Sequence, residues 1–169
     1  MERKIKFRGK NIHTGEWLYG DYHREGKTRY ITKPGDYLRE YAPIEFIVDG
    51  KTVGQFIIKT PKSLDKFGRD GNYAVFVEIY EDDIVEARCK FSYADGYMGY
   101  SVNVGDRFVI TSYAAGFCAV PIDLYSSWVE HDRIPNTCRV MSNYYLWNNH
   151  RFFTPIGNIH DTPDLLNGK

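Results

Sequence analysis

Four carboxylates stand close together at Glu78, Glu81, Asp82 and Asp83, and a hard divalent cation takes carboxylate oxygens as ligands. Calcium loops space their ligands at alternate positions and bend the chain with a glycine. Neither feature is present here, so the group reads as a solvated acidic turn. Two neighbouring pairs, His131-Asp132 and His160-Asp161, carry the residue types of an imidazole oriented by a carboxylate for proton transfer. Adjacent residues of a strand point to opposite faces, however, which keeps sequence neighbours from forming that pair. Cys118 is flanked by Phe117, Ala119 and Val120, surroundings that favour a buried thiol over a nucleophile. The sequence contains no Gly-x-Ser-x-Gly, no Gly-rich phosphate loop and no His-Glu-x-x-His. It therefore predicts no catalytic residue, no metal site and no cofactor, and reads as a protein that is not an enzyme.

Two other patterns suit binding. Lys4, Lys6, Arg8 and Lys10 fall on one face of an extended segment, with Ile5 and Phe7 on the other, because strand side chains alternate with period two. With Tyr19, Tyr22 and Tyr30 taken as exposed aromatics, this face is a candidate track for a single nucleic-acid strand, whose bases stack on rings beside basic groups. The same four cations also suit an edge strand guarded against aggregation. Trp128, Tyr144, Tyr145 and Trp147 form a candidate protein-contact surface, since aromatic residues dominate interface hot spots, and they also suit a core.

Such residues must be positioned by a chain of 169 residues, 43% hydrophobic and 26% charged, a balance that can bury a core in one domain or two small ones. Basic and acidic residues number 22 each, so no net field draws the molecule to nucleic acid or an anionic membrane, and such binding would need a local patch. The three cysteines, Cys89, Cys118 and Cys138, form no Cys-x-x-Cys pair, which predicts reduced thiols and no zinc site. No apolar run reaches the ~20 residues that span a bilayer, and the first ten residues alternate basic with apolar, so a cytoplasmic protein is expected.

Fourteen tyrosines and ten phenylalanines favour pleated, half-buried surfaces. After the first strand, turn residues at 9–11 and 13–15 lead to a second at 16–22, which suggests a first hairpin or meander, and a third covers Thr28 to Thr32. The apolar run Ile44 to Val48 stops at Asp49-Gly50 and resumes at Thr52 to Ile58, which predicts a hairpin. Residues 61–72 read as a connecting loop, Tyr73 to Ile79 and Asp83 to Ala87 as strands, and Phe91 to Asp106 as a long hairpin or excursion. Short strands follow at 108–110 and 116–120. Tyr125 to Asp132 and Asn143 to Asn149 are each a turn of helix or an irregular loop. At the tail, Thr162 is placed to cap a short helix starting at Pro163, with Asp164 at its positive end and Leu165 and Leu166 pinning it.

Four segments taken in order, Arg8-Gly9-Lys10 through Gly15-Glu16-Trp17, Thr52-Val53-Gly54-Gln55-Phe56, Glu78-Ile79-Tyr80-Glu81-Asp82-Asp83-Ile84-Val85, and Ile156 through Leu166, resemble the YopX family. Its members are mostly encoded by bacteriophages and prophages and have no established biochemical activity. The family usually has glycine where Asp82 stands. If that glycine takes a positive φ, aspartate tolerates the conformation better than most residues. Residues 70–77 look inserted, the stretch between Arg88 and Phe153 matches family members poorly, and tyrosine is found where His160 stands. The resemblance, with the strand that follows the acidic turn, implies a small SH3-like barrel, which removes open sheet edges.

The sequence thus predicts an all-β protein with few short helices. Its parts are an N-terminal β subdomain over 1–60, a connecting loop and strand over 61–82, and an SH3-like barrel over 83–169. The barrel closes with Ile156 to His160, holds a long insertion around 91–150 and ends in a helical turn. The expected function is that of a phage or prophage accessory protein, a non-catalytic module that binds a host or phage protein or a second copy of itself. Nucleic-acid binding through the first strand is the alternative, and an unrecognised enzyme the third reading.

Overall fold

The computed structural model describes residues 6–38, 42–61, 76–95, 98–113, 116–131 and 140–167. Strand accounts for 58% of it, in three antiparallel sheets with two short helices, which makes the protein mainly β. The chain divides into two compact units, Met1–Phe56 and Ile57–Lys169.

In the first unit, β1 (Phe7–Lys10), β2 (Trp17–Glu25), β3 (Thr28–Leu38), β4 (Ala42–Ile47) and the start of β5 (Gly54–Pro61) pair in the order β4-β3-β2-β1-β5. Asn11 builds the first turn, its side-chain oxygen accepting the His13 and Thr14 N–H groups at 2.8 and 3.2 Å. The β2–β3 hairpin turns at Gly26, whose φ of +58° suits a tight two-residue loop. Gly20 is required for another reason: a Cβ there would lie 2.0 Å from the Thr32 carbonyl oxygen. Leu18, Ile31 and Val48 form the core, with Phe7, Tyr22, Phe46 and Val53 packed around it.

The hairpin expected between Ile44 to Val48 and Thr52 to Ile58 is not formed, because β4 pairs with β3 and β5 pairs with β1. The Asp49-Gly50 turn itself is real. Thr52 N–H bonds the Asp49 carbonyl at 3.0 Å, and Lys51 N–H bonds the Asp49 side chain at 3.0 Å. What the turn serves is a crossing. Val48 bridges Asn11, and Asp49 N–H reaches the Lys10 carbonyl at 2.8 Å, so the chain leaves β4 beside the end of β1 and continues as β5 along the other side of β1.

In the second unit, β6 (Phe76–Tyr80) lies beside β5. β7 (Asp83–Ala87), β10 (Arg107–Tyr113), β11 (Gly116–Pro121) and β12 (Phe153–Asn158) form a four-stranded sheet in the order β11-β10-β7-β12. β8 (Phe91–Asp95) and β9 (Met98–Val102) form the hairpin that the sequence placed between Phe91 and Asp106. The β7–β12 pair joins the acidic turn to the closing motif, but the pairings among the described residues do not go on to close a barrel. The two edges are occupied differently. β11 exchanges two 2.9 Å backbone bonds with Met141, and β12 carries Pro155 and a register shift before Gly157, features that end a ladder.

The two ambiguous segments are helices, α1 (Ile122–His131) and α2 (Asn143–Asn149). Leu124, Tyr125 and Trp128 share one face of α1 and pack on Cys118, Val120 and Val140. The main core gathers Ile79, Val85, Phe108, Ile110, Met141, Leu146 and Phe153. Of the connecting loop expected at 61–72, Pro61 ends β5 and the rest lies outside the described residues, as does the start of the strand expected from Tyr73. No helix among those described is long and apolar enough to cross a membrane.

Candidate functional site

The basic face of the first strand is turned inward on its own rings. In the β1–β2 register Lys10 stands opposite Trp17 and Arg8 opposite Tyr19. The Arg8 guanidinium lies 4.6 Å from the Trp17 ring centre, Lys10 Nζ 5.4 Å from the same ring, and Lys6 Nζ 5.4 Å from Tyr19. Arg8 is only 6% exposed and Lys6 and Lys10 are half-buried, which corrects the expectation that Arg8 belongs to an open basic track. Period two placed these residues together, and the hairpin expected between the first two strands, formed as β1–β2, decided what they meet. Lys4 lies outside the described residues. Tyr19 is 42% exposed, whereas Tyr22 packs on Phe7 at 5.2 Å and Tyr30 stacks on His23 at 4.8 Å.

The candidate contact surface separates in the same way. Trp128 is 8% exposed and belongs to the packing beneath α1, and Tyr145 packs against the main core, 5.7 Å from Tyr93. Tyr144 falls on α2, and Trp147 is 40% exposed. With Trp128 buried, Tyr145 packed on the core and Trp147 exposed, these residues do not share one exposed face.

The side chains of the acidic turn and the closing motif bond within the fold. Asp83 is buried, and its carboxylate accepts the Tyr80 N–H at 2.8 Å. Glu78 accepts the Tyr80 hydroxyl at 2.7 Å and lies 3.6 Å from Lys59 Nζ. Among the described residues no group of histidine, cysteine and carboxylate side chains is arranged to hold a metal ion. Asp82 takes the left-handed conformation, φ 67°, and its side chain lies 3.1 Å from His160 Nε2. His160 thus pairs across the chain with Asp82. It lies in the turn after β12 and not in a strand as expected. In that turn the Asn158 side-chain oxygen accepts the His160 and Asp161 N–H groups, each at 2.9 Å.

Thr162 does not cap forward. Its hydroxyl donates back to the Asn158 carbonyl at 2.9 Å, and the tail is a single 3₁₀ turn, Pro163–Asn167. Gly157 is needed beside it, since a Cβ there would lie 2.1 Å from Thr162 Oγ1. Tyr125 on α1 lies within the field of the acidic turn. Burial, and then the charges of Asp82 and Glu81, push its hydroxyl up to about 12. Cys118 is buried, and burial pushes its thiol up to about 12, which makes it inert at neutral pH. Cys89 is half-buried and free, and Cys138 lies outside the described residues.

A concavity of about 450 Å³ opens in the second unit between the β8–β9 hairpin, the turn into β10 and the first turn of α1. Tyr93 and Tyr100 stand opposite each other in the hairpin register, rings 5.6 Å apart, and line it together with Phe108. Asp106, Arg107 and Asp123 supply its charges. The turn that carries Asp106 is held firmly. Gly105 N–H donates to the Ala87 carbonyl and Ala87 N–H to the Asp106 carbonyl, both at 2.9 Å, and the Asp106 side chain accepts the Asn103 N–H at 2.7 Å. Arg107 Nε meets Glu86 on the neighbouring strand at 3.2 Å.

Sequence reasoning named the hairpin that forms one wall of this concavity and none of the residues as a site. The available signal was the Tyr93 and Tyr100 pair flanking a turn, followed by Asp106-Arg107. Comparison of the chain with protein-family models, with curated proteins and with solved structures finds no match.

Proposed function

We propose that the chain is a YopX-like phage or prophage accessory protein, acting in the host cytoplasm as a non-catalytic module that binds another protein. The observation that carries this reading is the concavity bounded by Tyr93, Tyr100, Asp106 and Asp123. It combines apolar rings with a few fixed polar groups, the composition of a recognition site, on a hairpin, a braced turn and a helix start. The β7–β12 pair, which joins the acidic turn to the closing motif, supports taking this unit as an SH3-like barrel left open. Self-association through a sheet edge is a variant of the same reading.

The test is capture from host lysate with the tagged protein and its Tyr100→Ala variant, each with and without nuclease. The reading expects a stoichiometric protein that wild type recovers, that nuclease leaves in place and that the variant loses. Recovery by both forms alike would count against this face. The second reading, a nucleic-acid strand on β1, is favoured by Tyr19 standing exposed beside Lys6. It requires salt-sensitive retention on single-stranded DNA, because phosphate contacts weaken steeply with salt. Absence of retention at low salt removes it.

A further inference from the structure

The walls of the concavity define what enters it. Its lining charges are two carboxylates, Asp106 and Asp123, and one guanidinium, Arg107, which already meets Glu86 at 3.2 Å. An anionic ligand would face both carboxylates. A wholly apolar one would set carboxylates and a tyrosine-lined wall against hydrocarbon, removing their water without return. A cation gains on both counts, since ring faces attract positive charge within about 6 Å and carboxylates form the stronger, charge-assisted hydrogen bonds with it. The first unit already shows this chemistry in the same chain, with Arg8 and Lys10 over the Trp17 ring.

We propose, resting on the protein-binding reading above, that the concavity between Tyr93, Tyr100, Asp106 and Asp123 receives a lysine or arginine side chain of the partner protein. The aliphatic stem lies along the half-buried Tyr100 ring, backed by Tyr93, which is only 5% exposed, and the charged head reaches Asp106 and Asp123. Long basic side chains bury their stems and keep their heads among polar groups in this way.

The probes are the short peptides acetyl-Gly-Arg-Gly-amide and acetyl-Gly-Lys-Gly-amide, with the citrulline and glutamate peptides as controls, titrated into the full-length protein and followed by amide chemical shifts. The expected result is that the basic peptides shift the amides of Tyr93, Tyr100, Asp106 and Asp123. The citrulline and glutamate peptides should bind at least about tenfold more weakly. Added salt should weaken the basic peptides, since charge attraction is screened. Asp106→Asn keeps an oxygen for the Asn103 N–H, and Asp123→Asn keeps the size of the side chain. Each should weaken the basic peptides about tenfold while leaving the remaining amide spectrum unchanged.

Equal binding of the citrulline peptide, stronger binding of the glutamate peptide, or shifts confined to other residues would overturn the proposal. The same two variants separate it from the reading on which it rests. If they recover a partner as well as wild type does, the basic side chain is wrong and the binding module stands. If wild type recovers no partner, the module reading falls, while the peptide titration still decides what the concavity accepts.

Discussion

The two units place the same kinds of side chain to different ends. In the first, the rings of Trp17 and Tyr19 receive Arg8, Lys10 and Lys6 from the adjacent strand, so cation and ring join the sheet that carries them. In the second, Tyr93 and Tyr100 line a concavity beside Asp106 and Asp123. A pattern of basic residues and aromatics is therefore no guide to a surface until the partner strand is known. The feature that looked most like a binding face in sequence is partly internal, and the face that presents rings and charge around a concavity was hidden in a hairpin.

The contrast can be broken first at the cores. Phe153 is fully buried in the large core of the second unit, and Phe153→Ala is expected to cost about 3–5 kcal/mol in urea unfolding. Arg8→Ala, in the smaller unit, is expected to cost about 1–2 kcal/mol, the range for a desolvated cation over a ring, with a change in Trp17 emission. Arg8→Met keeps the stem and isolates the charge. If it matches wild type, packing and not the cation–ring contact holds β1 to β2.

A smaller effect is expected at Asp82. At φ 67° an alanine is strained and a glycine is not, so Asp82→Ala should be less stable than Asp82→Gly by about 1 kcal/mol. A cycle with His160→Ala then measures the side-chain contact separately from the backbone. The smallest effect is a pH dependence. The Tyr125 hydroxyl ionises at about 12 in the folded protein and at about 10 when unfolded. Below pH ~10 both states hold the proton. Above it the unfolded state releases its proton first, so stability should fall from pH ~10 towards ~12. Tyr125→Phe should flatten that part of the profile, and an unchanged profile would show that the hydroxyl is not buried against Asp82 and Glu81.

Much of the fold was legible because β structure writes itself in period two and in turn residues. Trp17 to Tyr22, Asp83 to Ala87 and the Phe91 hairpin all follow from local pattern. Asp82 was singled out as a position where a positive φ would be tolerated, and its φ is 67°. The destination of the strand after Asp49-Gly50 was not legible, since a turn fixes its own geometry and not which neighbour the next strand finds. The helices α1 and α2 were ambiguous because each is short and buries only a few residues of one face, too few to establish a 3.6-residue period. The site failed for a related reason. Tyr93, Asp106 and Asp123 come from three elements, and nothing in the spacing of the first two predicts that the start of α1 will complete the wall.

The position of β7 carries a consequence for how the protein is made. β7 lies between β10 and β12, and its Ala87 pairs with Phe153. At ribosomal rates of ~5–20 residues per second, one side of β7 stays unpaired for several seconds after it emerges. Strands β1 to β3 can pair almost as soon as they leave the tunnel. An unpaired strand edge is a template for aggregation, so the second unit passes through its most vulnerable interval during synthesis, and the nascent chain is where a chaperone has the longest opportunity to act on it.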